Sequence, residues 1–99
     1  MPLYVFHCRD GENGPALRAR HRETHLRHIA DNPQRFALAG PLERKGEAVG
    51  SLVVIAASDE DDARKFFETD PYFIAGVWQA IRVDGFRALA GQWAASADV

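Results

Sequence analysis

Ser51-Leu52-Val53-Val54-Ile55-Ala56-Ala57 decides the fold. The run is short, rich in β-branched residues and apolar on both faces, so it reads as a central strand covered on each side. Towards the N-terminus, Leu3-Tyr4-Val5-Phe6-His7-Cys8 has the same character and stops at the turn cluster Asp10-Gly11-Glu12-Asn13-Gly14-Pro15. Ala16 to Asp31 contains no Gly or Pro and is expected to be helical, with a thin apolar stripe of Leu17, Leu26 and Ile29. Asn32-Pro33 ends it, because the residue before proline is pushed out of the helical region. Arg35 to Ala39 reads as a second short strand closed by Gly40-Pro41, and Leu42 to Gly50 as a hairpin connection.

Beyond the central strand, Ser58 is the expected N-cap of a helix whose first turn, Asp59-Glu60-Asp61-Asp62, suits the positive helix end. That helix runs through Phe66 and Phe67 to about Thr69. Asp70-Pro71 then restarts the chain as a cap and a first helical residue, giving one short turn over Tyr72-Phe73-Ile74-Ala75. Val77 to Phe86 alternates, with Val77, Gln79, Ile81 and Val83 on one face and Trp78, Ala80, Arg82 and Asp84 on the other. The tail, 87–99, reads as a short helix or coil that frays by Ala97.

The order β-α-β-β-α-β predicts an α+β, ferredoxin-like domain: a four-stranded antiparallel sheet with both helices on one face. No repeat or linker interrupts the chain, so residues 1–99 read as one domain with its core at 3–86. A chain of 99 residues buries only roughly 65% of its unfolded surface, which leaves a marginal core. The single cysteine, Cys8, makes no internal disulfide. The uncovered apolar face of strand 51–57 therefore points to a homodimer, or a higher oligomer, packed sheet to sheet as a dimeric α/β barrel.

Lys+Arg 12 against Asp+Glu 14 gives a net charge of −2, which offers no electrostatic case for nucleic acid or an anionic membrane. No run approaches the roughly 18 apolar residues of a membrane span. The start, Met1-Pro2-Leu3-Tyr4, lacks a charged signal-like region, and a cytoplasmic location is expected.

Three of the four histidines, His21, His25 and His28, fall on the first helix. His25 borders the apolar stripe, where a group titrating near neutrality is a candidate acid or base; taken alone, such a histidine is more often a satisfied boundary residue. His21-x-x-x-His25 has the spacing of helical zinc ligands, but Arg22 stands where a protease motif needs Glu and no second ligand pair follows, so no metal is expected. Asp70 reads first as a helix cap and second as a carboxylate able to orient a histidine. Cys8 reads as a small buried apolar residue. No nucleophile elbow and no Gly-rich phosphate loop is present.

Five short motifs in order resemble the YciI-like family: Leu3-Tyr4-Val5-Phe6 with Asp10, Arg22-x-x-His25-Leu26, Ala39-Gly40-Pro41, Gly50-Ser51, and Asp70-Pro71-Tyr72 before Ala75-Gly76-Val77. The resemblance covers Leu3 to Phe86 and implies a ferredoxin-like dimeric α/β barrel. It also implies a site pairing His25 with Asp70, with Ser51 and Tyr72 as ligand-binding positions, while His21 and His28 stay unassigned. The middle loop from Leu42 to Gly50 is expected to set ligand choice, and Tyr4, Phe6, Phe73 or Trp78 to line the cavity. These parts suit proton abstraction from a small, apolar or aromatic molecule, coupled to elimination or isomerisation, without a cofactor. A non-catalytic small-ligand-binding or regulatory domain stays open. So does a barrel-type monooxygenase or haem-related enzyme, with a histidine as the available axial ligand.

Overall fold

A computed structural model describes residues 1–94. Its elements are β1 (Leu3–Asp10), α1 (Gly14–Asp31), β2 (Phe36–Arg44), β3 (Glu47–Ala56), α2 (Glu60–Phe67), α3 (Pro71–Ala75) and β4 (Trp78–Phe86). The sheet order is β2-β3-β1-β4 and every neighbouring pair is antiparallel, giving the ferredoxin-like α+β arrangement. The two most apolar strands, β1 and β3, take the centre. The strands carrying Pro41 and the charged pair Arg82 and Asp84 take the edges, where a missing ladder donor and polar side chains cost least.

Register sorts the side chains. Tyr4 lies opposite Ile55, Phe6 opposite Val53 and Cys8 opposite Ser51, so these residues share the helix-covered face. Phe6, Cys8, Val53 and Ile55 pack there with Ala63, Phe67, Tyr72 and Val77. Phe67 stacks on Phe6 at 4.1 Å and on Trp78 at 5.2 Å between ring centroids. Leu3, Val5, Leu52 and Val54 point to the opposite face by alternation. Leu38 and Phe86 on that side remain 50% and 48% exposed. Residues 87–94 form no helix, and with this face they enclose an apolar cavity of about 740 Å³. The expected fraying at Ala97 lies outside the described residues. No helix among the described residues is long and apolar enough to cross a membrane.

Several local expectations are corrected. Gly40-Pro41 does not close β2; Pro41 pairs with Ser51 inside the edge strand, which runs on to Arg44. The expected long connection shrinks to Lys45-Gly46, between the paired residues Arg44 and Glu47. Both turn residues have positive φ, 52° and 82°, as a two-residue hairpin turn requires, and glycine meets that demand at the second position. Helix α1 begins two residues early at Gly14, with Pro15 at its first turn. Asp59, not Ser58, caps α2: its carboxylate accepts the Asp62 N–H at 2.8 Å. Asp62 is more than a solvated charge, since its carboxylate accepts the Ser58 N–H and pairs with Arg35, both at 3.1 Å, and these bonds hold its pKa below the ordinary range.

The alternation expected in β4 fails at its start. Ala80 lies opposite Arg9, but Trp78 rather than Gln79 lies opposite Asp10. One residue is thus inserted on β4, and a bulge of this kind re-aims the side chain that follows it. Trp78 turns onto the helix face, 7% exposed, instead of pointing away with Ala80 and Arg82.

Candidate active site

His25 sits on α1 two turns after Arg18, and Asp70 precedes α3, which packs against α1. The Asp70 carboxylate does two jobs through one oxygen. Oδ1 accepts the Tyr72 N–H at 2.9 Å as the helix cap, and lies 2.7 Å from His25 Nδ1. A carboxylate is acceptor-only, so Nδ1 carries the proton and the neutral ring presents a bare Nε2. Tyr72 stacks on the imidazole at 3.8 Å between centroids, 5° from parallel, and fixes its plane. Asp70 thus caps α3 and stands within hydrogen-bond distance of His25. Its second oxygen, Oδ2, is sealed without a partner among the described residues.

The histidine opens on a cavity of about 170 Å³ between α1 and the sheet. Its polar lining is Arg18, Arg22, His25, Ser51 and Tyr72; its apolar walls are Leu26, Ile29, Val53 and the Ala39-Gly40-Pro41 stretch. The thin apolar stripe of α1 has its reason here, because the face that a packed helix would fill with Leu carries the polar side of this cavity instead. His25 Nε2 has no partner among the described residues and is not sealed, so it is open to the cavity.

Arg18 organises the floor. Its Nε and Nη2 face both Asp10 oxygens at 2.7 and 2.9 Å, and the two Nη2 protons are shared among Asp10, the Gly50 carbonyl at 2.7 Å and Ser51 Oγ at 2.8 Å. The hydrogen bond to Asp10 pushes the Arg18 pKa up, so its charge is permanent. Trp78, re-aimed by the bulge, donates its indole N–H to the same Ser51 Oγ at 3.2 Å. Gly50 is imposed by close approach: a Cβ there would stand 2.1 Å from the Cys8 carbonyl oxygen. A side chain at this position would drive β3 off β1 and carry Ser51 away from Arg18.

The four candidates His25, Asp70, Ser51 and Tyr72 are thus brought together. Tyr4, Phe6, Phe73 and Trp78 do not line the cavity; Phe6 and Trp78 are core, and Tyr72 is the aromatic wall. The middle segment meets the site only through Gly50 and Ser51, since the rest is strand and turn. His28 is structural, with Thr69 Oγ1 at 3.2 Å and its ring packed on Phe66 and Phe36. His21 makes no side-chain hydrogen bond among the described residues, and His7 lies on the opposite sheet face. No group of three or more His, Cys, Asp or Glu among the described residues is arranged to hold a metal. Cys8 is fully buried, and burial beside Asp70 pushes its thiol up to about 12, so it is no nucleophile. The residues that sequence reasoning missed are Arg18 and Arg22. Their signal was position: each lies one or two turns before His25 on its side of the helix.

Comparison with known proteins bears on the fold and the family. No curated protein sequence matches the chain. Among solved structures, 5-chloro-2-hydroxyhydroquinone dehydrochlorinase from Burkholderia phenoliruptrix, in complex with 2,5-dihydroxybenzoquinone, superposes with a TM-score of 0.77 at 22% identity, covering 86% of this chain and 93% of that one. Protein Atu4242 from Agrobacterium tumefaciens superposes with a TM-score of 0.50 at 10% identity, covering 88% and 92%. Both likenesses show the fold. The model of the YCII-related domain matches residues 2–87, nearly the whole described chain, and the protein belongs to that family.

Proposed function

We propose that the protein is a small-molecule enzyme in which His25 is a general base and Asp70 its orienting partner. The observation that carries this is the 2.7 Å contact between His25 Nδ1 and Asp70 Oδ1, with Nε2 left open to the cavity. Asp70 fixes the tautomer and faces the positive charge that develops on the ring as Nε2 takes a proton. The supported reaction class is proton abstraction coupled to isomerisation or elimination. A C–H bond next to a carbonyl, or an enolic O–H conjugated with the leaving-group carbon, breaks; its proton passes to Nε2, and the electron pair comes to rest on the oxygen. Collapse of that oxyanion re-forms the carbonyl. The electrons either take a proton back at another carbon or expel a leaving group. No electron acceptor is needed, so the chemistry runs without a cofactor.

A cavity of about 170 Å³ suits a single ring or a short chain. The dehydrochlorinase of the same fold suggests hydroxylated chloroaromatics as the first compounds to test. With 5-chloro-2-hydroxyhydroquinone, chloride release should exceed the uncatalysed rate and fall by about 10²–10⁴-fold in His25→Ala. Release unchanged by that substitution would remove His25 as the base. Binding without release by a folded protein would leave a ligand-binding domain.

The same proposal includes a homodimer. Leu38 and Phe86 are exposed beside Leu3, Val5 and Val54, an apolar surface that a second copy would cover as one half of a barrel. A monomeric mass by light scattering at micromolar concentration would contradict it. A single sealed cysteine fits a reducing compartment, the cytoplasm.

A further inference from the structure

We infer that the floor of the cavity is an oxyanion site, formed by the Ser51 hydroxyl proton and the free Nη1 of Arg18. The ligand class it selects is small molecules with a phenolic, enolic or carbonyl oxygen. This deepens the general-base reading for its catalytic meaning, while the binding itself stands without it.

The argument is a count of donors and acceptors. A serine hydroxyl has two lone pairs and one proton. Ser51 Oγ faces Arg18 Nη2 at 2.8 Å and Trp78 Nε1 at 3.2 Å, and neither nitrogen can act as an acceptor. The hydroxyl proton therefore has to be donated, and no described residue accepts it. Ser51 is 3% exposed and lines the cavity, so the proton is directed there. Arg18 shows the same pattern. Nε and Nη2 are used on Asp10, Gly50 and Ser51, whereas Nη1 has no partner among the described residues and is not sealed.

Two donors, one of them cationic, thus converge on a cavity that His25 Nε2 also faces. Donors held by Asp10, Gly50 and Trp78 cannot reorganise, which is the condition for stabilising charge as it appears. Arg22 at the rim adds positive potential without a described ion-pair partner. The pairing assigns roles to the two ends of a substrate. Its acidic proton faces His25, and the oxygen that receives the electron pair faces Ser51 and Arg18. Arg18 and Ser51 are binding residues for that oxygen.

The test uses 4-nitrophenol, whose anion absorbs at longer wavelength than its neutral form. Saturating wild-type protein should lower the apparent pKa of the probe by a pH unit or more, with no such binding of 4-nitrophenyl methyl ether. An unshifted or raised pKa overturns the oxyanion site, and leaves His25 to be judged separately by chloride release. Ser51→Ala should weaken anion binding about tenfold or more. Arg22→Gln and His25→Asn should each weaken it by less. If Arg22→Gln or His25→Asn abolishes binding and Ser51→Ala does not, the anion is held by diffuse charge or by the imidazole, and the inference fails. If Ser51→Ala proves unstable, the other two variants decide with the wild-type titration: a shift retained in both Arg22→Gln and His25→Asn supports the site, and one lost in either overturns it.

Discussion

Replacing Asp70 with asparagine or alanine separates its two jobs. Oδ1 accepts both the Tyr72 N–H and the His25 Nδ1–H, at 2.9 and 2.7 Å. Asparagine keeps an oxygen in that place but makes both bonds neutral, a loss of about 1 kcal/mol each. The sealed Oδ2, without a partner among the described residues, becomes an amide nitrogen equally without one, an exchange of similar costs. The net loss is about 2 kcal/mol for Asp70→Asn. Alanine removes the cap and leaves two buried donors unsatisfied, for about 3 kcal/mol in all. At about 4–8 °C per kcal/mol for a domain of this size, melting temperature should fall by about 8–16 °C for asparagine and about 12–24 °C for alanine. Thermal unfolding followed by circular dichroism reads both. If the alanine variant is as stable as the asparagine variant, the bonds through Oδ1 do not contribute as argued.

Three further outcomes are expected. Gly50→Ala places a Cβ 2.1 Å from the Cys8 carbonyl oxygen, so the variant should be destabilised by about 3 kcal/mol or more, and an unchanged denaturant midpoint would contradict that contact. The Cys8 thiol has its pKa raised by burial from 9.0 to about 12, so the unfolded chain ionises first. Stability from this group is complete below pH 9 and falls as pH rises towards 12, at up to about 1.4 kcal/mol per pH unit. The alkaline slope of the unfolding free energy should flatten in Cys8→Ala. On the open sheet face, Leu38→Glu together with Phe86→Glu should convert a dimer to a monomer by light scattering while leaving the helical signal intact.

The sheet was legible because its decisive strands are locally unambiguous. Ser51 to Ala57 has no polar face, and Leu3 to Cys8 is one residue shorter and of the same character. The Trp78 orientation was not legible, because a bulge depends on how β4 meets β1 and leaves no mark in the alternation of Val77 to Phe86. Neither was the continuation of β2 through Gly40-Pro41: those residues break central strands, and only the edge position that the assembled sheet provides makes them acceptable. At the site, His25 and Asp70 were separated by 45 residues, and only the family resemblance joined them. The structural reason for the pairing, an aspartate that caps α3 with the oxygen facing α1, arises from packing. Arg18 was hidden for a related reason. An arginine in a charged helix looks like solvent-facing charge until Asp10 and Gly50 are brought beneath it.

The paired dyad is tested most directly by the nitrogen-15 shifts of the His25 side chain in the wild-type protein, through their couplings to the ring carbon-bound protons. The neutral ring should carry its proton on Nδ1, show an unprotonated Nε2, and lose that preference in Asp70→Ala. A ring protonated on Nε2, or one averaging between tautomers in the wild type, would contradict a general base held ready by Asp70.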